Sequence, residues 1–272
     1  WSYCLIMIKL TDTEFHELVG FIQSNYGINL SKKRMLIEAR MYSVLYEKHL
    51  SSFSQYFEIL KHDKSEINTL LNKLTTNHTY FMREPSHFGF LKDVILPEQE
   101  KTNNGHDLRI WSAGCSTGEE AYTAVMVMKD YFRLAAGWDY RMLATDISTN
   151  VLENANNGVY TEESLKNIPL EWKMRYFRKI EDKYVLSDEI KSEVIFKQLN
   201  LMDDFHFQKP FDLIFCRNVM IYFQQDTKDR LVKKFHRVLK PGGYLFIGHS
   251  ETIQHDAAGF RYVEPSIYRK DS

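Results

Sequence analysis

Apolar residues recur three and four positions apart from Phe15 to Leu74, and that spacing predicts helices. Thr11-Asp12-Thr13-Glu14 has the form of a capping box, after which Phe15, Leu18, Val19 and Ile22 mark one face. Gly27 ends that helix, Ser31 is placed to cap the next, and Met35, Ala39, Tyr42 and Tyr46 share one face of it. Phe53, Tyr56, Phe57 and Leu60, then Ile67, Leu70, Leu71 and Leu74, predict two more short amphipathic helices. No strand pattern interrupts them, so residues 11–75 read as a small helical bundle.

From residue 108 onward the rhythm changes. LRIWSAG, YRMLATDI, EVIFKQLNL and FDLIFC are compact apolar runs of the kind that form buried strands. Segments 117–133, 148–156 and 226–239 between and after them predict helices, which makes this part an α/β domain with a mostly parallel sheet. KPGG at 240–243 is expected to close the last helix, with YLFIGH and SIYR as late strands. Between Tyr160 and Glu193 the alternation lapses. RYFRK and KYVLS there suggest a small antiparallel insertion turning over through Lys179-Ile180-Glu181-Asp182.

Composition narrows the function classes. A net charge of −1 over 272 residues lacks the basic excess of a nucleic-acid protein. Cys4, Cys115 and Cys216 form no CxxC pair and the ten histidines form no HxxxH or HExxH spacing, so no metal site is expected and a reducing, cytoplasmic compartment is. No apolar run approaches the length of a membrane span, so no direct membrane insertion is expected. WSYCLI, before Met7, is too short for a signal peptide, and Met7 is the expected natural start.

The candidate chemistry begins at RIWSAGCSTGEEAYTAVM, residues 109–126. A glycine loop here leads from a strand into a helix, yet its spacing is neither GxGxxG nor GxxxxGK[ST], and Glu119 and Glu120 stand where a phosphate would be repelled. By itself such a loop is often only a turn and a helix cap. Ligands of open α/β sheets bind at the carboxyl ends of the strands, here Ala113-Gly114-Cys115, Asp146, Asn200-Leu201 and Arg217-Asn218. Asp146, at the end of the second strand, can accept both hydroxyls of a ribose, and Glu119 or Glu120 can hold an ammonium. A ligand with a ribose, an ammonium and no phosphate fits S-adenosylmethionine.

Three blocks then resemble a known family, the chemotaxis receptor methyltransferases (CheR), which are protein-glutamate O-methyltransferases. They are TTNHTYFMRE at 75–84, WSAGCSTGEEAY at 111–122, and FDLIFCRNVMIYF at 211–223 with LKPGGYLFIGHSE at 239–251. The resemblance runs through nearly the whole chain from Leu10. It implies a Rossmann-like S-adenosylmethionine-dependent methyltransferase domain over residues 93–272, with a small antiparallel β-subdomain inserted at about 161–193. An N-terminal all-α receptor-docking domain would span 7–75, and a linker contributing to the cofactor site 76–92.

By motif, the resemblance implies that Asn77, Thr79 and Arg83 reach the cofactor. Ala113 and Glu120 would take its methionine end, Asp146 its ribose, and Asn200, Leu201, Arg217 and Asn218 would surround the adenosine and the sulfonium side. Arg83 and Tyr222 match positions that face the reacting group. Met82 stands where the family usually has a second Phe, a volume-conserving change. The implied partner is the cytoplasmic helical bundle of chemoreceptors, approached by a monomer. Lys32-Lys33-Arg34 opens a helix against its macrodipole and suits an acidic partner, although such runs are commonly just solvated faces.

Two other classes fit the sequence less well. A nucleic-acid amino-methyltransferase would carry [DNS]PP[YFW], and no prolines follow Asn218. A non-catalytic cofactor-binding module would be expected to have lost cofactor positions, and every matched one is present.

Overall fold

The computed structural model describes residues 8–134 and 137–271, so Cys4 and the segment before Met7 lie outside it. The chain divides into two compact units. One holds the chain up to Thr76 together with Tyr222–Gln224; the other holds Asn77–Ile221 and Gln225–Ser272.

In the first unit, α1 (Asp12–Tyr26) starts at a complete capping box: the Glu14 N–H donates to Thr11 Oγ1 at 3.2 Å and the Thr11 N–H to Glu14 Oε2 at 2.8 Å. It ends at Gly27, whose φ of +73° suits a residue without a Cβ. Helix α2 (Arg34–Glu47) departs from the sequence reading twice. Ser31 does not cap it; the Ser31 hydroxyl donates to Asn29 Oδ1, and the helix begins after Lys33 with no side-chain cap.

The buried face of α2 is Ile37, Glu38, Met41, Val44 and Leu45, whereas Met35 and Tyr46 are 81% and 64% exposed. Two stripes compete on this helix. The aliphatic one fills the core, while Tyr42 is half-buried, Tyr46 is exposed, and their rings stack on each other at 6.1 Å.

Helices α3 (Phe53–His62) and α4 (Lys64–Leu74) follow, capped by Ser52 and Asp63. Arg40 reaches the carboxyl end of α4 and donates to the carbonyls of Lys73, Leu74 and Thr75, placing a cation at the negative end of the helix.

The second unit opens with α5 (Pro85–Phe90), a π-helical turn at Leu91–Ile95 and α6 (Leu96–Thr102). The stretch read as a linker is therefore partly helical, and His87, Phe88 and Phe90 are buried. Then come β1 (Ile110–Ala113), α7 (Glu119–Tyr131), β2 (Met142–Asp146) and α8 (Thr149–Asn157). The insertion contributes β3 (Val159–Thr161), α9 (Leu170–Tyr176), β4 (Phe177–Ile180), β5 (Lys183–Leu186) and α10 (Asp188–Lys191). After it run β6 (Val194–Gln198), β7 (Phe211–Cys216), α11 (Gln225–Val238), β8 (Leu239–Ile247), β9 (Phe260–Glu264) and β10 (Ile267–Lys270).

Seven strands form one sheet in the order β6-β2-β1-β7-β8-β10-β9, parallel from β6 to β8 and antiparallel beyond. The insertion is a separate three-stranded antiparallel sheet ordered β3-β5-β4. Its hairpin turns at Glu181-Asp182 alone, because Ile180 still pairs with Lys183. KPGG belongs to strand β8: α11 stops at Val238, and the register with β7 shifts between Phe211 and Leu213, a bulge that absorbs these residues.

The core lies between the sheet and its helices. Helix α7 is buried continuously from Ala121 to Met128, which explains its apolar run after two acids. Phe81 is also fully buried, edge-on to Tyr160 at 4.8 Å and to Phe177 at 5.3 Å, so segment 77–84 is pinned against the inserted sheet.

Candidate functional site

Strand β1 sits where the sheet's connections reverse direction, with β2 on one side and β7 on the other, and the crevice beyond such a switch is where α/β sheets bind ligands. Ala113 ends β1. Gly114 and Cys115 then donate their N–H groups to the Thr145 carbonyl at 2.8 and 2.9 Å, tying the loop to β2. Gly114 has φ +86°, and a Cβ there would come within 2.4 Å of Val219 Cγ2. Gly118, at φ +92°, would press on Ala155, Tyr122 and Phe196. Both glycines are required by close approach, and between them the chain presents backbone to the crevice.

Asp146 closes β2 and is buried. Its two oxygens accept the N–H groups of Ser116 at 2.9 Å and Ser148 at 3.0 Å, which fixes the carboxylate across the loop. Burial pushes its pKa up, against the backbone N–H groups that pull it down. A carboxylate has about four acceptor positions, and the N–H groups of Ser116, Ser148 and Ile147 draw on three of them. Beside it, Leu199 donates to the Asp146 carbonyl at 3.0 Å, which places Asn200 and Leu201 just past the adjacent strand end. Asn200 accepts from the Met202 N–H, and the Leu201 carbonyl accepts from Lys234 Nζ.

Glu119 and Glu120, equivalent by sequence, point to different neighbours. Glu119 is buried and accepts from Thr117 Oγ1 at 2.7 Å. Glu120 accepts from Ser112 Oγ at 2.6 Å and from Arg217 Nη1 at 3.2 Å. Burial raises both carboxyl groups, the more polar surroundings of Glu120 notwithstanding.

Arg217, just past β7, has a side chain only 2% exposed. It pairs with Glu120, donates through Nε to Glu84 Oε2 at 3.2 Å, and donates through Nη2 to the Arg83 carbonyl. Asn218 takes φ +59°, and its N–H donates to Glu251 Oε2 at 2.9 Å. Met82, Glu84, Ser116 and Asn218 are all non-glycine residues at positive φ, so strained backbone gathers around this crevice.

Of the other expected residues, Asn77 accepts at its carbonyl from Ser116 Oγ at 3.1 Å, Thr79 is half-buried, and Arg83 donates from Nη1 to the His78 carbonyl at 2.7 Å. Tyr222 falls in the other compact unit, where its carbonyl accepts the Asn29 N–H at 2.8 Å. The two described cysteines are buried, with thiols pushed far up by burial, so neither is a nucleophile at neutral pH.

Three participants were not singled out by sequence. Glu84 and Glu251 each end a quoted motif block, and His249 lies in the last one. Glu84, His87 and His249 bring one metal-capable atom each within 4.8 Å of one another, a grouping that linear spacing could not show. His87 is buried and neutral, its pKa depressed to about 3 by burial and then by Arg217. Glu84, however, already receives Arg217, Asn218 Nδ2 and the His249 N–H. A dication on the same carboxylate would have to share it with a buried guanidinium, so this arrangement is that of an ion-pair network.

Comparison with known proteins gives a consistent result. Residues 77–268 match the family described as "CheR methyltransferase, SAM binding domain", and residues 13–75 the one described as "CheR methyltransferase, all-alpha domain". The chain is 44% identical over 273 residues to the "Chemotaxis protein methyltransferase" of Borreliella burgdorferi, covering 97% of this chain and 96% of that one. It is 36% identical over 269 residues to the protein of that name from Escherichia coli, with 96% and 92% covered. To "Chemotaxis protein methyltransferase 2" of Vibrio cholerae it is 34% identical over 252 residues, with 90% and 88% covered.

Proposed function

The chain belongs to the CheR methyltransferase family, whose S-adenosylmethionine-binding domain spans residues 77–268, and from that premise we propose that it methylates glutamate side chains in the cytoplasmic helical bundle of chemotaxis receptors, giving glutamyl methyl esters. One observation carries the assignment of the cofactor's ends: two separate carboxylates, the buried Asp146 on β2 and the half-buried Glu120 on α7, flank a loop that two close-packed glycines hold open. The donor set suits a nucleoside that bears an ammonium and no phosphate. Asp146 takes the ribose hydroxyls, Glu120 takes the ammonium, and Asn200, Leu201 and Asn218 line the adenosine.

When bound, the sulfonium supplies an electrophilic methyl group. The chain's own residues do the rest. The acceptor glutamate, with an ordinary pKa of about 4.3, is already ionised at neutral pH, so no general base is required. The work is to strip water from that carboxylate and align it for in-line displacement. Arg83 orients the acceptor or the cofactor carboxylate, and Asn77 and Thr79 bound the same segment. Tyr222 is assigned to the reacting oxygen on its motif position alone. Among the described residues no helix is long and apolar enough to cross a membrane. A monomer in the cytoplasm, meeting receptors at the membrane's inner side, completes the reading.

The test is transfer of a labelled methyl group from the cofactor to receptor-containing membranes. The expected product is a base-labile ester that releases volatile labelled methanol from the receptor band. Label that survives alkali, or that appears in added nucleic acid, would overturn the reading.

A further inference from the structure

Glu84 belongs to none of the roles assigned so far, yet its carboxylate gathers donors from three residues of the crevice. Oε2 receives Arg217 Nε and lies 3.2 Å from Arg217 Nη2; Oε1 receives Asn218 Nδ2 at 3.3 Å and the His249 N–H at 3.2 Å. One side chain from segment 77–84 thus binds both residues that follow β7 and the second residue after β8. It does so from a left-handed backbone conformation, φ +56°, and makes no capping bond to the helix it precedes. Its position serves the crevice at the expense of local preference.

The pairing around Arg217 shows what this arrangement does. The buried guanidinium is shared between Glu84 and Glu120. A ligand ammonium arriving at Glu120 competes with Arg217 for that carboxylate. Without a second anion, Arg217 would then be a buried charge that had lost its partner, and binding would bear that cost. With Glu84 in place, Arg217 keeps its ion pair and its geometry while Glu120 turns to the ligand. Burial pushes Glu84 up, but Arg217 and the N–H donors of His249 and Asn218 outweigh it and hold the carboxyl below its ordinary value, so the anion persists at neutral pH.

We propose that Glu84 is a positioning residue for cofactor binding, which holds Arg217 and Asn218 in place and frees Glu120 for the ligand's ammonium. The proposal rests on the cofactor reading above, and its test separates the two. Calorimetry with S-adenosylhomocysteine on the full chain is expected to show Glu84→Gln binding about tenfold more weakly, the scale of one charge-assisted hydrogen bond. In methylation assays KM for the cofactor should rise more than kcat falls. In an Arg217→Met background, Glu84→Gln should cost much less than it does in the wild type, because most of its effect passes through Arg217 and only the hold on Asn218 is left to lose; a merely structural role would add its full cost there. If Glu84→Gln does not fold, Glu84→Asp keeps the charge but not the reach and is expected to weaken binding similarly.

Unchanged affinity in a folded Glu84 variant, or full additivity with Arg217→Met, overturns the proposal. If Glu120→Gln and Asp146→Ala also bind like the wild type, the cofactor reading falls and takes the proposal with it. If those two weaken binding and Glu84 variants do not, only the positioning role is lost.

Discussion

Glu120 works under opposed influences. Burial raises its pKa, Arg217 and the Ser112 hydroxyl pull it down, Glu84 pushes it up again and Arg83 lowers it; the net shift is upward. A carboxyl group with a raised pKa is ionised only above that raised value, and a cationic ligand binds its ionised form. Affinity for the cofactor's ammonium is therefore complete at higher pH and is lost as pH falls through the raised pKa. An ordinary glutamate near 4.3 would hold its charge down to about pH 5; here the loss should begin at higher pH. Calorimetry with S-adenosylhomocysteine from about pH 8 to 5 should show progressive weakening in the wild type, while Glu120→Gln binds weakly and more flatly across that range. Asp146 is raised as well, by burial, so the Glu120 variant isolates the ammonium's share. A wild-type affinity that stays constant down to about pH 5 would remove Glu120 from the ammonium site.

At the scale of elements, the site depends on how the chain leaves its strands. Glu251, buried in the turn after β8, accepts the N–H groups of Asn218, Ile221 and Gly248 at 2.9, 3.0 and 2.6 Å, and so ties the end of β7 to the end of β8. Glu251→Ala would leave three backbone donors without their acceptor and should cost on the order of 3 kcal/mol. For a domain of this size that lowers Tm by about 6–12 °C. The same variant should also weaken cofactor binding, because Asn218 loses its hold at positive φ; a melting temperature unchanged within about 2 °C would show that the clamp carries little stability. None of these ties was legible in the sequence. The strands were, because FDLIFC and IWSA are buried on every residue and apolar runs of that length have few other uses. A carboxylate that accepts backbone N–H groups leaves no periodic trace, so Glu84 and Glu251 passed as the ends of motif blocks. On α2 the periodicity was real but ambiguous, and the aliphatic stripe is the one that is buried.

For the molecule as a whole, strand order makes separate stretches of sequence into one crevice. Ala113, Asp146, Asn200 and Arg217 lie up to 104 positions apart (217 minus 113) and meet because β6, β2, β1 and β7 are parallel neighbours. That convergence was legible once the runs were read as a parallel sheet, since the carboxyl ends of such strands share a side. The helical unit was legible as helices, but its basic run was not: Arg34 pairs with Asp12 at 2.6 Å and lies 4.5 Å from the Phe15 ring centroid, so one of the three cations serves the bundle itself. The account turns on where the two ends of the cofactor lie. A crystal structure with S-adenosylhomocysteine tests this most directly: it should place both ribose hydroxyls within hydrogen-bonding distance of Asp146 and the amino group on Glu120, with Arg217 still paired to Glu84. A ribose turned away from Asp146, or an amino group held by a residue other than Glu120, would contradict it.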